Sequence, residues 1–140
     1  MEVSPPNEIN PQRIYSLGLA SSQLSSVTTA VTTTSTTAYS TVNTVTVTPS
    51  KTGILLVIAS LTVNNNTAGD GVSAEVTIGG TAYGVTTLIS SAASQNQTYS
   101  HVRIYTGTVG TAVTITTAIE AVTGGTASAV GDLVVVELMA

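Results

Sequence analysis

The stretch TVTVTPSKTGILLVIASLTVNN, residues 44–65, decides the fold class because it holds two strand patterns on either side of a turn. In its first part, Val45 and Val47 alternate with threonines, which is typical of a strand with one buried face. The segment Pro49–Gly53 has the composition of a turn. The segment Ile54–Val63 is almost continuously apolar, which predicts a central strand buried on both faces or a strand at an interface.

Other segments along the chain show the same period of two. Val72–Ile78 alternates cleanly, and Gly79-Gly80 after it is a two-residue hairpin signal. Gln23–Thr37 has apolar residues at helical spacing with Thr and Ser between them, and its composition favours a strand. Together these patterns predict an all-β fold of about eight short antiparallel strands, forming a single sandwich or barrel.

The end of the chain predicts a last hairpin. Ala127–Val130 and Leu133–Leu138 are two short apolar runs, and Gly131-Asp132 between them has turn composition. The expected topology therefore ends in two short strands joined by a tight turn.

A candidate interaction face comes from Thr98–Thr106, where Val102 and Ile104 are expected to point inward. The other alternating set of this segment would then point outward, and it contains two of the few aromatic side chains of the protein. Tyr and Arg are enriched at interaction hot spots, so this face is a candidate surface site. Its predicted members are Tyr83, Tyr99, His101, Arg103 and Tyr105.

The composition excludes several classes of function. Charged residues make up 7% of the 140 residues, against about 25% in ordinary domains. Three basic residues (Arg13, Lys51 and Arg103) are too few for a phosphate-binding patch, so no nucleic-acid partner is expected. The absence of cysteine excludes disulfides and thiolate metal sites. No apolar run approaches the roughly 20 residues that a membrane-spanning helix needs, so no membrane span is expected.

Residues 1–18 differ from the rest of the chain and predict an extended N-terminal arm in front of a β-domain over residues 19–140. Proline fixes φ and cannot donate a ladder hydrogen bond, so this stretch is unsuited to a central strand. We expect the arm to dock on another chain through its apolar residues. The arm residues singled out are Pro5, Pro6, Ile9, Pro11, Ile14, Tyr15 and Leu17.

No catalytic, cofactor or metal site is predicted. His101 is the sole histidine, and the chain has no G-x-S-x-G nucleophile elbow. Asp70 shares a loop with three asparagines, but the loop lacks EF-hand spacing and has ordinary turn composition. Asn65 and Asn96 begin N-x-T tripeptides in expected loops and are therefore candidate N-glycosylation sites.

The order of these segments resembles that of the small jelly-roll domains of viral structural proteins. The resemblance covers roughly residues 21–138. It is carried by the stretch at 44–65, the hairpin IGGTAYG and the closing run YTGTVGTAVTITTAIEAVTGGTASAVGDLVVVEL. It implies a jelly-roll-like sandwich, a virion location, a homotrimer or other cyclic oligomer, and no enzymatic role. The chain lacks the Trp and Phe that a carbohydrate-stacking receptor site would use.

Two functions remain open at this point. The first is a decoration, turret or fibre subunit that docks through its arm on another virion protein, with a host surface receptor as a further candidate partner. The alternative is a subunit of a cell-surface filament or adhesin, assembled by strand addition. The prolines of the arm favour the first, because a donated strand needs an unbroken row of N–H groups.

Overall fold

The computed structural model describes residues 19–139, and the arm predicted over residues 1–18 lies outside them. Eight strands make up the regular structure of this part of the chain, which confirms the all-β prediction. They are β1 (Leu19–Thr33), β2 (Ser40–Val47), β3 (Ile54–Asn65), β4 (Gly71–Ile78), β5 (Thr81–Ile89), β6 (Gln97–Thr106), β7 (Val113–Ala121) and β8 (Ala127–Leu138). Within residues 19–139, no helix has the length and apolar character needed to cross a membrane.

The strands form two four-stranded sheets. Sheet A has the order β1-β8-β3-β6 and sheet B the order β2-β7-β4-β5, and all pairs are antiparallel. Strands that follow each other in sequence mostly lie in different sheets, which is how two interleaved Greek keys build a jelly roll. The hairpin from β4 to β5 turns at Gly79 and Gly80, both with positive φ, as a type I′ turn requires. The predicted jelly-roll-like sandwich is therefore confirmed.

The core lies between the sheets and is made of alternate residues of each strand. β-Branched and leucine side chains dominate it, and complete burial of one such side chain contributes roughly 1.5–3 kcal/mol. The largest apolar side chains with almost no exposure are Leu55, Leu61, Ile78, Ile115, Ile119 and Leu133.

β8 corrects the prediction of a last hairpin. Its pairing with β3 runs without interruption through Leu61↔Gly131 and Ser60↔Asp132, so Gly131-Asp132 continues the strand. The pairing of β1 with β8 shifts register just beyond Val27↔Gly131. A Cβ on Gly131 would collide with the Ser60 carbonyl oxygen, so glycine is needed here for the close approach of two strands.

β3 is not buried on both faces, which was one of the two environments predicted for it. Leu55, Val57 and alternate residues after them are buried in the core, whereas Ile58 on the opposite face is 37% exposed. β3 is thus central in sheet A but buried on one face only. Burial on both faces is therefore wrong, and a strand at an interface stays a prediction.

A buried polar pair joins the two sheets. Asn43 and Thr117 face the core from β2 and β7 and are fully buried. The Thr117 hydroxyl donates to Asn43 Oδ1 at 2.7 Å. Asn43 Nδ2 donates to the carbonyl oxygens of Gly131 and Ser25 in sheet A, both at 3.1 Å. Asn43 therefore gives hydrogen-bond partners to carbonyls at the site where β1 and β8 change register.

Replacing Asn43 with alanine should destabilise the fold by about 1–3 kcal/mol, because buried carbonyls and the Thr117 hydroxyl lose their partner. Urea unfolding would measure the loss. Thr46→Ala is the matched control, because Thr46 makes a similar side-chain hydrogen bond on the exposed side of β2. Equal losses for both variants would contradict the role given to Asn43.

A buried carboxylate binds the turn between β2 and β3. Glu137 lies on the inner face of β8 and has no solvent-exposed surface. Its oxygens accept hydrogen bonds from the backbone N–H groups of Ser50, Lys51, Thr52 and Gly53, at 3.0, 2.8, 2.9 and 3.1 Å. These donors, that of Ser50 foremost, hold the pKa of Glu137 at about 2, against the opposing effect of burial.

Because the folded-state pKa of Glu137 lies below the ordinary value of 4.5, its ionised form stabilises the fold above that value. The contribution should disappear as the pH falls from 4.5 towards about 2. Glu137→Gln should lower the Tm at pH 7 and flatten the fall in Tm over this window. Thermal unfolding against pH measures both effects, with Asp132→Asn, an exposed carboxylate of the same strand, as control. A wild-type Tm that is level across the window would contradict the assignment.

Candidate functional site

The side chains of β6 have the opposite orientation to the one predicted. Tyr99 is 3% exposed and faces the core, while Val102 and Ile104, which were expected inside, are each 63% exposed. The prediction of an outward aromatic face is therefore wrong. The pairing with β3 explains the reversal, because Tyr99 lies opposite the buried Leu61 and Val102 lies opposite the outward Ile58.

Four of the five predicted residues nevertheless come together where β5 of sheet B meets β6 of sheet A. We call this contact the β5–β6 seam and define it by Tyr83, Gly84, Tyr99, His101 and Arg103. The Tyr99 hydroxyl donates to the Gly84 carbonyl at 3.0 Å. The Arg103 guanidinium lies 3.8 Å from the centre of the Tyr83 ring, a cation–π contact.

The chemistry of the seam is that of a structural contact. Burial, with smaller contributions from the negative charges of Glu75 and ionised Tyr39, raises the pKa of Tyr99 to about 12, so its hydroxyl keeps the proton that it donates. His101 packs against Gly84, and its Nε2 is enclosed without a hydrogen-bond partner. Tyr105, the fifth predicted residue, packs against the core. Arg103 alone among the predicted members is exposed.

The two candidate glycosylation sites differ in exposure. Asn65 is 2% exposed, and its Nδ2 donates to the carbonyls of Gly71 at 3.1 Å and Gly124 at 2.9 Å. A glycan would attach to this nitrogen, so the structure contradicts the prediction at Asn65. Asn96 lies exposed in the loop before β6, where its Oδ1 accepts from Asn64. Glycosylation at Asn96 stays a prediction.

The outer face of sheet A carries a surface feature that the sequence patterns did not predict. Backbone pairing aligns two neighbouring rows across the sheet, one at Val136, Leu56 and Ile104 and one at Leu24, Val134, Ile58 and Val102. We call these seven residues the apolar face. The next row along the strands is polar and consists of Ser26, Asp132, Ser60 and Ser100.

The apolar face combines exposed and half-buried side chains with one buried side chain, Val136, which is 7% exposed. Val102 and Ile104 on β6 and Leu24 on β1 are its most exposed members, at the two edges of the sheet. Both alternating sets of β3 are apolar, and that double pattern was the one signal in the sequence for this face. Monomeric proteins rarely expose large contiguous apolar patches, and such patches mark interaction sites.

The outer face of sheet B is polar along β2, β7 and β4, while its edge strand β5 exposes Val85 and Ile89. Threonines of β2, β7 and β4 form cross-strand hydroxyl pairs, Thr46 with Thr114 at 3.1 Å and Thr77 with Thr116 at 2.6 Å. Beyond them, burial and the nearby charge of Glu120 raise the pKa of Glu75. The two outer faces of the sandwich are therefore chemically unlike.

No family model and no curated protein matches the chain. Among solved structures it is similar to the VP2 subviral particle of infectious bursal disease virus, with 14% identity and a TM-score of 0.52. That match covers 86% of this chain and 34% of the VP2 chain, so the protein spans about a third of the length of this relative. The D431N mutant of VP2 in T=1 particles derived from the same virus gives the same identity and TM-score.

A second group of similar structures consists of carbohydrate-binding modules. A family 35 module from Clostridium thermocellum matches with 16% identity and a TM-score of 0.43, covering 83% of this chain and 98% of the module. At these identities the likeness to VP2 concerns the fold alone. The fold is a jelly-roll-like sandwich that proteins of virus particles also use.

The contact between Gly84 and His101 allows a test of the inward orientation of this set of β6 side chains. Gly84 has φ +60, and a Cβ there would collide with the His101 ring. Gly84→Ala should therefore destabilise the fold beyond the roughly 1–2 kcal/mol that left-handed backbone costs an L-residue. Adding His101→Ala should recover part of the loss, measured by urea unfolding as a double-mutant cycle. Strict additivity of the two substitutions would contradict the contact.

Proposed function

We propose that this protein is a non-enzymatic structural subunit of a virus particle, which self-associates and attaches to another virion protein. A homotrimer or other cyclic oligomer is the proposed form of the subunit. The observation that carries the proposal is the apolar face of sheet A, because it gives the sandwich a surface that is stabilised by a partner.

The free energy available from this face comes from water that its side chains release on contact. Burial of apolar surface is worth roughly 25 cal/mol per Å². Val102 and Ile104 still expose most of their surface, so they have the most to gain. Their position on an edge strand also leaves the backbone of β6 open on one side.

The fold of VP2 supports the virion part of the proposal. VP2 is described in a subviral particle and, as the D431N mutant, in T=1 particles, so a sandwich similar to this one forms part of a particle protein there. The low charge of the present chain is in keeping with association through apolar and hydroxyl surfaces. Arg103 and Lys51 are the basic residues among those that the structure describes, which leaves little material for ion-pair networks.

Placing a charge on the apolar face should weaken self-association without unfolding the protein. We expect Ile104→Asp to raise the dissociation constant of the oligomer at least about tenfold, which corresponds to about 1.4 kcal/mol. Its Tm should change little, because substitutions at exposed positions usually alter stability by less than about 0.5 kcal/mol. Sedimentation velocity over a concentration series measures the association.

Val85→Asp is the matched control, because Val85 is also well exposed but lies on sheet B. It should leave association unchanged. Raising the salt concentration should also have little effect, since few charges are present to screen. Equal weakening by both variants, or none by Ile104→Asp, would contradict the proposed interface.

A further inference from the structure

The size of the apolar face limits what can cover it. The four strands of sheet A span about 14 Å between the axes of β1 and β6, and two rows along a strand lie about 7 Å apart. Even with its margins, the face offers a few hundred Å², below the roughly 800 Å² per partner of a stable protein–protein interface. A second sandwich laid flat on these seven residues would bury too little area. An extended segment with a few apolar anchors fits the dimensions better.

The sequence in front of β1 is a candidate for such a segment, because it joins the sandwich beside this face. β1 begins at Leu19, which pairs with Leu138 at the edge of sheet A, and Leu24 of the apolar face is five residues further on. Residues 1–18 precede that point. Nine extended residues reach about 30 Å, which is more than the width of the sheet.

The composition of residues 9–17 complements the face. This stretch carries Ile9, Ile14, Tyr15 and Leu17 for the two apolar rows. Arg13 is the basic residue of the arm, and Asp132 is the charged residue of the polar row beside the face. A pair between these two would set the direction of the segment, because ion pairs at a rim contribute more to orientation than to affinity.

Proline restricts how the segment can bind. Pro11 lies inside it and has no N–H to donate, so continuous pairing with an edge strand is disfavoured. Contact through side chains on the outer face of the sheet needs no such ladder. The same contacts form whether the segment comes from its own copy or from a neighbouring one, and exchange between copies is a general route to oligomers.

We infer that the apolar face of sheet A is the docking site for residues 9–17 of this chain, and that exchange of this segment between copies is what joins subunits. The inference rests on the proposed function for the exchange, while the pairing of segment and face stands on the geometry of the sheet. It makes the arm and the face two halves of one interface.

The test uses the full chain, which has no native cysteine that could take up a label. A nitroxide label on the Ile14→Cys variant should broaden the methyl NMR signals of Leu24, Val102 and Ile104. Signals of Val85 and Ile89 on sheet B should keep their intensity. Broadening that is absent from the apolar face, or equal on both sheets, would overturn the inference.

Two further variants provide the controls. Ile104→Asp added to the labelled chain should restore the signals of Leu24 and Val102, whereas Val85→Asp should leave them broadened. The reverse result would overturn the inference. Mixing the labelled chain with an isotope-labelled, nitroxide-free chain tests exchange, because broadening then arises only between copies. Broadening within single copies alone would overturn the exchange.

The outcomes also separate this inference from the proposed function. Sedimentation of the unlabelled chain reports on self-association alone. A chain that stays monomeric while its own segment broadens the apolar face would support the pairing and contradict the assembly. Association without any broadening of the face would overturn the pairing and leave the subunit role standing.

Discussion

The packing of two sheets against each other is the constraint on which the rest of this structure depends. With no disulfide to help, the sandwich is held by side chains that point inward from alternate positions. That requirement accounts for one residue in two along each strand. In β3 it explains Leu55, Val57 and Leu61 but not Leu56 or Ile58. The apolar residues of the second set do not point into that core, and in the arrangement we propose they contact a partner.

The few polar groups inside the sandwich make hydrogen bonds that apolar side chains cannot make. Asn43 donates hydrogen bonds where β1 and β8 shift register. Glu137 accepts hydrogen bonds from four backbone N–H groups of the turn after β2. Buried polar groups are tolerated only when they are hydrogen-bonded. In a chain with 7% charged residues, one carboxylate thus serves to hold the turn between β2 and β3.

Hydrophobic alternation predicts that a strand exists more surely than it predicts which side faces the core. β6 has Val102 and Ile104 in one set and Tyr99, His101 and Tyr105 in the other, and polarity alone favours the wrong set. Its pairing with β3 decides the matter, and that pairing joins segments far apart in sequence. Gly131 shows the same limit, because glycine serves a tight turn and a close strand contact equally well. The buried amide of Asn65 likewise depends on loops that meet only in the folded chain.

The chemical difference between the outer faces indicates different surroundings for the two sides of the subunit. On sheet B, paired threonine hydroxyls of β2, β7 and β4 keep water bound without adding charge, and Val85 and Ile89 are exposed on the edge strand β5. On sheet A, two apolar rows border a row of serines and Asp132. A monomer has no use for this asymmetry, because its core is the same whichever outer face is polar. A subunit that packs one side against a partner does need it, so sheet A faces the assembly and sheet B faces the solvent in the arrangement we propose.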